Sequence, residues 1–366
     1  MNNPLRNAAV YLSKILNGIA AQTDMILQDS KQVMYETGNL RIPSGSILVS
    51  ADIIDFYEKI NLNSLIDIVG QYISKHYTSS AASFIKVLFS LVARAKFFEV
   101  DKVTYMKTQS LSVGEHVATA AANVFRAHHM MKLRDDELLR GQLTYCSGYV
   151  DDCFLIWGPG PLPVQVLYDR MKALQPDQID WTFTAGDSVA FLDLVITMDH
   201  INERVYFKPF RKPQFRAQYL PAFSYHPASS KSAILKGEIK RYLYNSTNPE
   251  DAKDFISKLI MDLNARGYTY PIVNNYKDTF KFNREEALNI LKASRGERAR
   301  VDTRDSSTIP LVLPHGSQAS VVRTALRGQG FRGLNYRVAV ASGGKSLFQV
   351  LYPLNFQFAS RAQLCR

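Results

Sequence analysis

Apolar and polar positions along the chain follow two periodicities, and the short-period stretches predict strands. A β-branched apolar run, Ile47–Ile54, follows a Pro-Ser-Gly-Ser turn and predicts a buried strand that ends near Asp52. Two further runs, Leu143–Val150 and Cys153–Trp157, flank the pair Asp151-Asp152 and predict a tight hairpin with two carboxylates at its tip. More strands are predicted at Ile179–Thr184, Val189–Met198 and Arg204–Pro209.

Helical spacing of apolar residues predicts the remaining elements. Helices are predicted at Leu65–Tyr72, Ser83–Phe97, Gly114–Met131, from Pro163 onward, at Lys231–Tyr244, from Asn248-Pro249 onward and at Asn283–Ser294. A hairpin is predicted at Phe98–Lys107. Hairpins mixed with helices indicate an α+β fold, an antiparallel sheet backed by helices.

The N-terminal segment has two interpretations. Met1–Thr23 contains Arg6 and Lys14, no acidic residue, and apolar residues at helical spacing. This pattern is typical of an amphipathic transit peptide and equally of an ordinary first helix.

Composition excludes several classes of protein. With 366 residues, 46% of them apolar, the chain can bury a sizeable core, so global disorder is excluded. No stretch has the uncharged apolar length of a membrane span. Three cysteines cannot form a disulfide framework.

Charge is distributed unevenly along the chain. Residues 1–202 contain 17 Lys/Arg and 21 Asp/Glu, a net charge of −4, whereas residues 203–366 contain 27 and 12, a net charge of +15. A strongly basic second half indicates a polyanionic partner, with a merely solvating basic surface as the alternative.

Adjacent carboxylates in an apolar setting repel one another and lose hydration unless a cation is supplied. Mg²⁺ prefers such ligands, and Asp52 can join the pair Asp151-Asp152 if the two strands are neighbours. The alternative is an ordinary solvent-exposed turn.

The motifs around these carboxylates resemble those of reverse transcriptases. Tyr149-Val150-Asp151-Asp152 resembles their catalytic hairpin, and Asp52, with the aromatic Tyr57 five positions later, is similar to their first catalytic strand. Gln109–Gly114 is similar to the segment that contacts template and nucleotide. Three later motifs resemble the Penelope-like branch, and within it the reverse-transcriptase-like proteins of green-algal mitochondrial genomes: Phe191-Leu192-Asp193, Phe210-Arg211-Lys212-Pro213, and Ser224-Tyr225-His226-Pro227 with Lys231 and Arg241.

The resemblance implies a role for each matching residue. Asp52, Asp151 and Asp152 would be catalytic and would hold two Mg²⁺ ions, with Mn²⁺ as an alternative. Tyr57 would be the steric gate that excludes a 2′-hydroxyl, or else an ordinary core tyrosine. Two residues would line the nascent base pair, Gln109 and Gly114. Four would contact nucleic acid: Lys231, Arg241, Arg211 and Lys212.

The resemblance also implies an architecture: a reverse-transcriptase right-hand palm plus a helical thumb, with the fingers largely missing. Its expected divisions are a finger remnant (1–46), the palm (47–222), the thumb (223–294), a charged linker (295–307) and a basic C-terminal tail unit (308–366). The implied activity is RNA-directed DNA polymerase, acting on an RNA template, a DNA primer and dNTPs. The implied location is mitochondrial.

Departures from the family pattern keep a second hypothesis open. Only 46 residues precede Ile47, and Ser110 and Glu115 replace residues that the family motif would have. The fingers would then come from another chain, or the protein would be a non-catalytic or maturase-like RNA-binding protein derived from a reverse transcriptase.

Overall fold

The structure is a computed structural model and describes residues 5–23, 25–94, 97–101, 103–106, 110–111, 115–173, 179–214, 217–269, 309–314 and 336–341. The chain divides into two compact units. The first comprises Met1–Phe215 and Asn245–Lys253, and the second comprises Arg216–Tyr244 and Asp254–Arg366.

Helices and strands are interspersed along the first unit. The helices are α1 (Arg6–Ala20), α2 (Ser30–Thr37), α3 (Phe56–Lys59), α4 (Leu62–His76), α5 (Ser79–Arg94), α6 (Ala118–Arg134) and α7 (Val164–Ala173). The strands are β1 (Ile47–Ile53), β2 (Phe97–Val100), β3 (Val103–Met106), β4 (Leu143–Tyr149), β5 (Asp152–Trp157), β6 (Trp181–Gly186), β7 (Ser188–Phe191), β8 (Leu194–Asp199) and β9 (Arg204–Pro209). Four elements follow: α8 (Ala228–Asn245), α9 (Pro249–Asn264), β10 (Ile309–Pro314) and β11 (Tyr336–Ala341).

A four-stranded sheet of order β4-β5-β1-β6 forms the centre of the first unit. Each neighbouring pair is antiparallel, so β1 is covered by strands on both edges. Because side chains alternate between the faces of a strand, one face carries Val49 and Leu155 into a core shared with helices α1, α4, α5 and α6. The other face carries Leu48 and Phe154 into a second core shared with α2 and β7–β9.

The N-terminal segment forms a core helix. Leu12, Leu16 and Ile19 lie on the apolar face of α1 and are buried in the same core as β1. Of the two interpretations of the sequence, the ordinary first helix describes this structure.

One predicted strand, Val189–Met198, is wrong. The segment forms two strands, β7 and β8, which pair antiparallel around a turn where Leu192 has a φ of 53°. Contacts from distant residues hold the turn: the Asn245 side chain donates to Asp193 Oδ2 at 2.9 Å, and the Phe210 N–H donates to the Asp193 carbonyl at 2.8 Å. With β9 these strands form a separate three-stranded sheet.

Helix α4 begins earlier than the sequence analysis predicts. The Asn61 side chain accepts hydrogen bonds from the N–H groups of Asn63 and Ser64 and so caps the helix. The helix then extends to His76, four residues beyond the predicted end.

The second unit contains a small helical core. Leu235 and Ile239 of α8 pack with Leu259 and Leu263 of α9. Strands β10 and β11 pair in parallel. The predicted helix Asn283–Ser294 and the predicted linker at 295–307 lie outside the described residues. Within the described part of the chain, no helix has the length and apolarity needed to cross a bilayer.

Candidate active site

The three candidate carboxylates lie on the central sheet, at the ends of two adjacent strands. Strand β1 pairs with β5 in a register that places Asp52 directly opposite Asp152. Asp151 is at the tip of the β4–β5 hairpin, and its carbonyl accepts a hydrogen bond from the Ile53 N–H at 3.2 Å. The end of β1 is therefore tied to the hairpin tip. On its other side Asp52 faces Thr182 of β6.

Strand alternation explains why the carboxylates share a face. Asp52 follows Leu48 and Ser50 at every second position, and Asp152 precedes Phe154 in the same way, so both lie on the face that carries the second core. The core ends before these positions: Asp52 is exposed and Asp152 is half-buried. The pair therefore sits at the edge of an apolar layer, open to solvent.

Electrostatics couple the carboxylates. Partial burial, followed by the negative charges of Asp151 and Asp52, raises the pKa of Asp152 to about 6. Loss of hydration and the charge of Asp151 also raise the pKa of Asp52, and Lys212 opposes the rise at both groups. Burial and the mutual repulsion of the carboxylates therefore both disfavour the charged form of Asp152.

Lys212, one of the residues expected to bind nucleic acid, acts on this cluster. It is exposed, three residues beyond the end of β9, and its charge lowers the pKa of both Asp52 and Asp152. Its neighbour Arg211 is half-buried. Lys212 belongs to a different sequence motif from the carboxylates, yet the fold brings its charge close to them.

The hairpin tip has a left-handed residue. Val150 has a φ of 51°, a conformation that is uncommon for a β-branched side chain. Its N–H donates to the Asn123 side-chain oxygen of α6 at 3.2 Å. Helix α6 therefore fixes the turn from which Asp151 projects. The sequence did not predict this role for Asn123.

A second residue of α6 was also missed. Arg126 is completely buried, and its guanidinium donates to the carbonyl of Gly148, the residue of β4 that pairs with Cys153. An arginine in an alanine-rich helix that also contains Arg134 gives no sequence signal of this placement.

Tyr57 lies beside the start of α6. Its ring is half-buried against the first core, and its hydroxyl donates to Thr119 Oγ1 at 3.2 Å. Its carbonyl accepts from the Leu111 N–H at 2.9 Å, so part of the motif expected to contact nucleotide lies against it. Gln109 and Gly114, the two residues expected to line the base pair, are outside the described residues.

Comparison with solved structures identifies the fold. The structure of telomerase from Candida albicans, in complex with a TWJ fragment of telomeric RNA, is similar with a TM-score of 0.52 at 10% sequence identity. The match covers 82% of this chain and 52% of the telomerase chain, so this chain spans about half the length of that protein. The fold is a polymerase palm with a thumb-like helical part.

Other comparisons add detail. The BmCPV RNA-dependent RNA polymerase at elongation state aligns with 70% of this chain and 24% of its own, at 12% identity and a TM-score of 0.44. Residues 218–278 match the family described as animal helix-turn-helix domain. No curated protein matches the sequence.

The matched helix-turn-helix segment contains α8 and α9, where two candidate nucleic-acid ligands lie. The Lys231 amine donates to the Ala222 carbonyl at 2.6 Å, and the Arg241 guanidinium donates to Glu238 at 3.3 Å. Both cations therefore have contacts within their own unit. Lys236 and Lys240, four residues apart on α8, are exposed.

Proposed function

We propose that the protein is a nucleic-acid polymerase of the reverse-transcriptase kind, which extends a DNA primer with dNTPs on an RNA template. The observation that carries the proposal is the register of β1 and β5, which puts Asp52 opposite Asp152 beside the hairpin tip of Asp151. Facing carboxylates at the open edge of a palm sheet are arranged for phosphoryl transfer. The telomerase with the similar fold was solved with RNA.

The donor set fits Mg²⁺. Among the described residues, no three acidic, histidine or cysteine side chains converge into a ready-made cage. Mg²⁺ does not need one, since it commonly binds through one or two carboxylates, several waters and the phosphates of a substrate. The raised pKa of Asp152 is what a cation-accepting cluster shows before a cation neutralises it. Asp52, Asp151 and Asp152 would hold the ion, which would stabilise charge on the reacting phosphate.

The chain's own residues would supply positioning. Asn123 holds the hairpin turn, and the β1–β5 register fixes the separation of the two strands. Lys212, whose charge reaches Asp52 and Asp152, would attract the polyanionic substrate toward the carboxylates. Tyr57 would exclude ribonucleotides, and Gln109 and Gly114 would line the base pair.

Primer extension tests this proposal. Wild-type protein and Asp151→Asn are compared on a homopolymeric RNA template with dNTPs and Mg²⁺. We expect the wild type to extend the primer and the variant to lose at least about a hundredfold in rate, since a ligand is removed from the reacting site. Asp187→Asn is the matched control, because Asp187 is an exposed aspartate next to Gly186, which pairs with Leu48 near the far end of β1. No extension by the wild type would refute polymerase activity.

A second candidate, a non-catalytic or maturase-like RNA-binding protein, is supported by the helix-turn-helix match at residues 218–278, within the basic half of the chain. It requires RNA binding without extension. The same preparation therefore separates the two candidate functions. The RNA-binding candidate is selected if the wild type and Asp151→Asn bind RNA with equal affinity and neither extends the primer.

A further inference from the structure

Arg126 is a buried charge with an incomplete set of partners. Its side chain has no exposed surface. Nη1 donates to the Met25 carbonyl at 3.2 Å and Nη2 to the Gly148 carbonyl at 2.6 Å. Among the described residues, Nε has no hydrogen-bond partner and no carboxylate lies within ion-pair distance of the guanidinium. A buried charge with no carboxylate within ion-pair distance is costly.

Gly148 shows how close the guanidinium lies to the carboxylate hairpin. A Cβ atom at this position would overlap Arg126 Nη1 and would lie 2.7 Å from the Asp152 carbonyl oxygen. Gly148 also pairs with Cys153, the residue after Asp152. Arg126 therefore passes directly behind the strand pair that carries Asp152, through space that only glycine leaves open.

Three segments of the chain meet at this point. The Gly148 carbonyl accepts from the Leu27 N–H at 2.8 Å as well as from Arg126, and the Gly148 N–H donates to the Met25 carbonyl at 3.3 Å. Arg126 thus links α6, β4 and the segment that follows α1. Its two hydrogen bonds fix strand β4 of the hairpin against α6 and against the segment that follows α1.

We propose that Arg126 is a positioning residue of the carboxylate hairpin. It clamps the backbone at Gly148 and Met25, and its fixed charge offsets the negative charge of Asp152 when no cation is bound. This inference rests on the proposed function, because it takes the three carboxylates to be cation ligands. The carboxylates in turn are the anions that a buried guanidinium otherwise lacks.

The two parts of the role predict different effects. A fixed positive charge behind the carboxylates competes with a divalent cation, so its removal tightens cation binding. Loss of the clamp lowers the stability of the fold whether or not the charge remains. Arg126→Lys keeps a positive charge, which the carboxylates favour, but lysine has no planar fork to bridge two carbonyls. Arg126→Met loses the charge and the bridge.

The charge role of Arg126 is tested by Mn²⁺ binding to the full chain. Binding is measured from the free-ion signal in electron paramagnetic resonance, at a temperature where circular dichroism shows folded protein. We expect Arg126→Met to bind Mn²⁺ about fivefold more tightly than Arg126→Lys. Arg134→Met and Arg134→Lys, on the same helix, are the matched pair and should bind Mn²⁺ equally. Equal Mn²⁺ affinity in the two Arg126 variants would overturn the charge role.

Thermal unfolding tests the clamp. Both Arg126 variants should unfold at a lower temperature than the wild type, and a wild-type unfolding midpoint for Arg126→Lys would overturn the clamp role.

Failure of the proposed function has a different signature. If Asp152→Asn binds Mn²⁺ as tightly as the wild type, the carboxylates are not the cation site. If Arg126→Met does not fold, Arg126→Gln replaces it in the Mn²⁺ comparison with Arg126→Lys, because glutamine keeps a polar side chain for the two carbonyls and carries no charge. Equal Mn²⁺ affinity of Arg126→Gln and Arg126→Lys would overturn the charge role.

Discussion

Tyr57 is held at two points, and this fixes what its ring can do. Its hydroxyl bonds to Thr119 and its carbonyl to the Leu111 N–H, so the half-buried ring has a defined place beside α6. If Tyr57 is the proposed steric gate, Tyr57→Ala should raise ribonucleotide incorporation relative to deoxynucleotide incorporation by about tenfold or more, because the variant lacks the ring that would clash with a 2′-hydroxyl. Competing rNTP and dNTP in primer extension measures this ratio.

Tyr57→Phe is the matched control for that experiment. It keeps the ring and removes only the bond to Thr119, so sugar selectivity should stay near that of the wild type. Unchanged selectivity in Tyr57→Ala would leave Tyr57 as a core tyrosine.

His129 makes stability depend on pH. Burial, with smaller effects of His128 and Lys132, lowers its pKa to about 4, although its bond to the Phe125 carbonyl acts in the opposite direction. Between pH 6.5 and 4 the unfolded chain therefore binds the proton and the folded protein does not. Stability is complete above pH 6.5 and falls as the pH decreases, by about 3 kcal/mol at the lower limit.

Urea unfolding at several pH values measures this dependence. His129→Gln should lose that part of the acid sensitivity, and His116→Gln, at an exposed position, should keep it. If the unfolding free energies of the wild type and His129→Gln depend identically on pH, groups other than His129 cause the loss of stability in acid.

How far the sequence predicts the candidate site differs from residue to residue. Asp151-Asp152 between two apolar runs is a local pattern, so its place at a hairpin tip follows from adjacent residues alone. That Asp52 faces it depends on a pairing across about a hundred residues, which only the family resemblance suggested. Arg126 had no signal, since its burial depends on Gly148 leaving space on a strand that is distant in sequence.

Among the elements, those with an unambiguous period were predicted and those defined by distant contacts were not. Strands β1, β4 and β5 are apolar runs with clear turn residues at their ends. The β7–β8 turn contains neither Gly nor Pro, because Asn245 and Phe210 hold Asp193 in place of local turn chemistry. A continuous apolar run therefore gave a single predicted strand.

On the scale of the whole molecule, the uneven charge predicts how RNA binding responds to salt. Residues 203–366 carry a net charge of +15, so binding should release many counterions. We expect the affinity for single-stranded RNA to fall about a hundredfold or more between roughly 50 and 200 mM salt. Fluorescence anisotropy over that range measures the slope, and a flat response would contradict a polyanion partner.

We expect part of that contact to involve two lysines of α8. Lys236 and Lys240 are exposed on a helix within the helix-turn-helix match. Lys236→Gln/Lys240→Gln should therefore reduce the salt slope by about 1.4, since each phosphate contact with a single strand contributes roughly 0.7. Lys75→Gln/Lys172→Gln removes the same charge from exposed positions in the acidic half and should leave the slope unchanged. Equal salt slopes for the two double variants would show that Lys236 and Lys240 of α8 do not contact RNA.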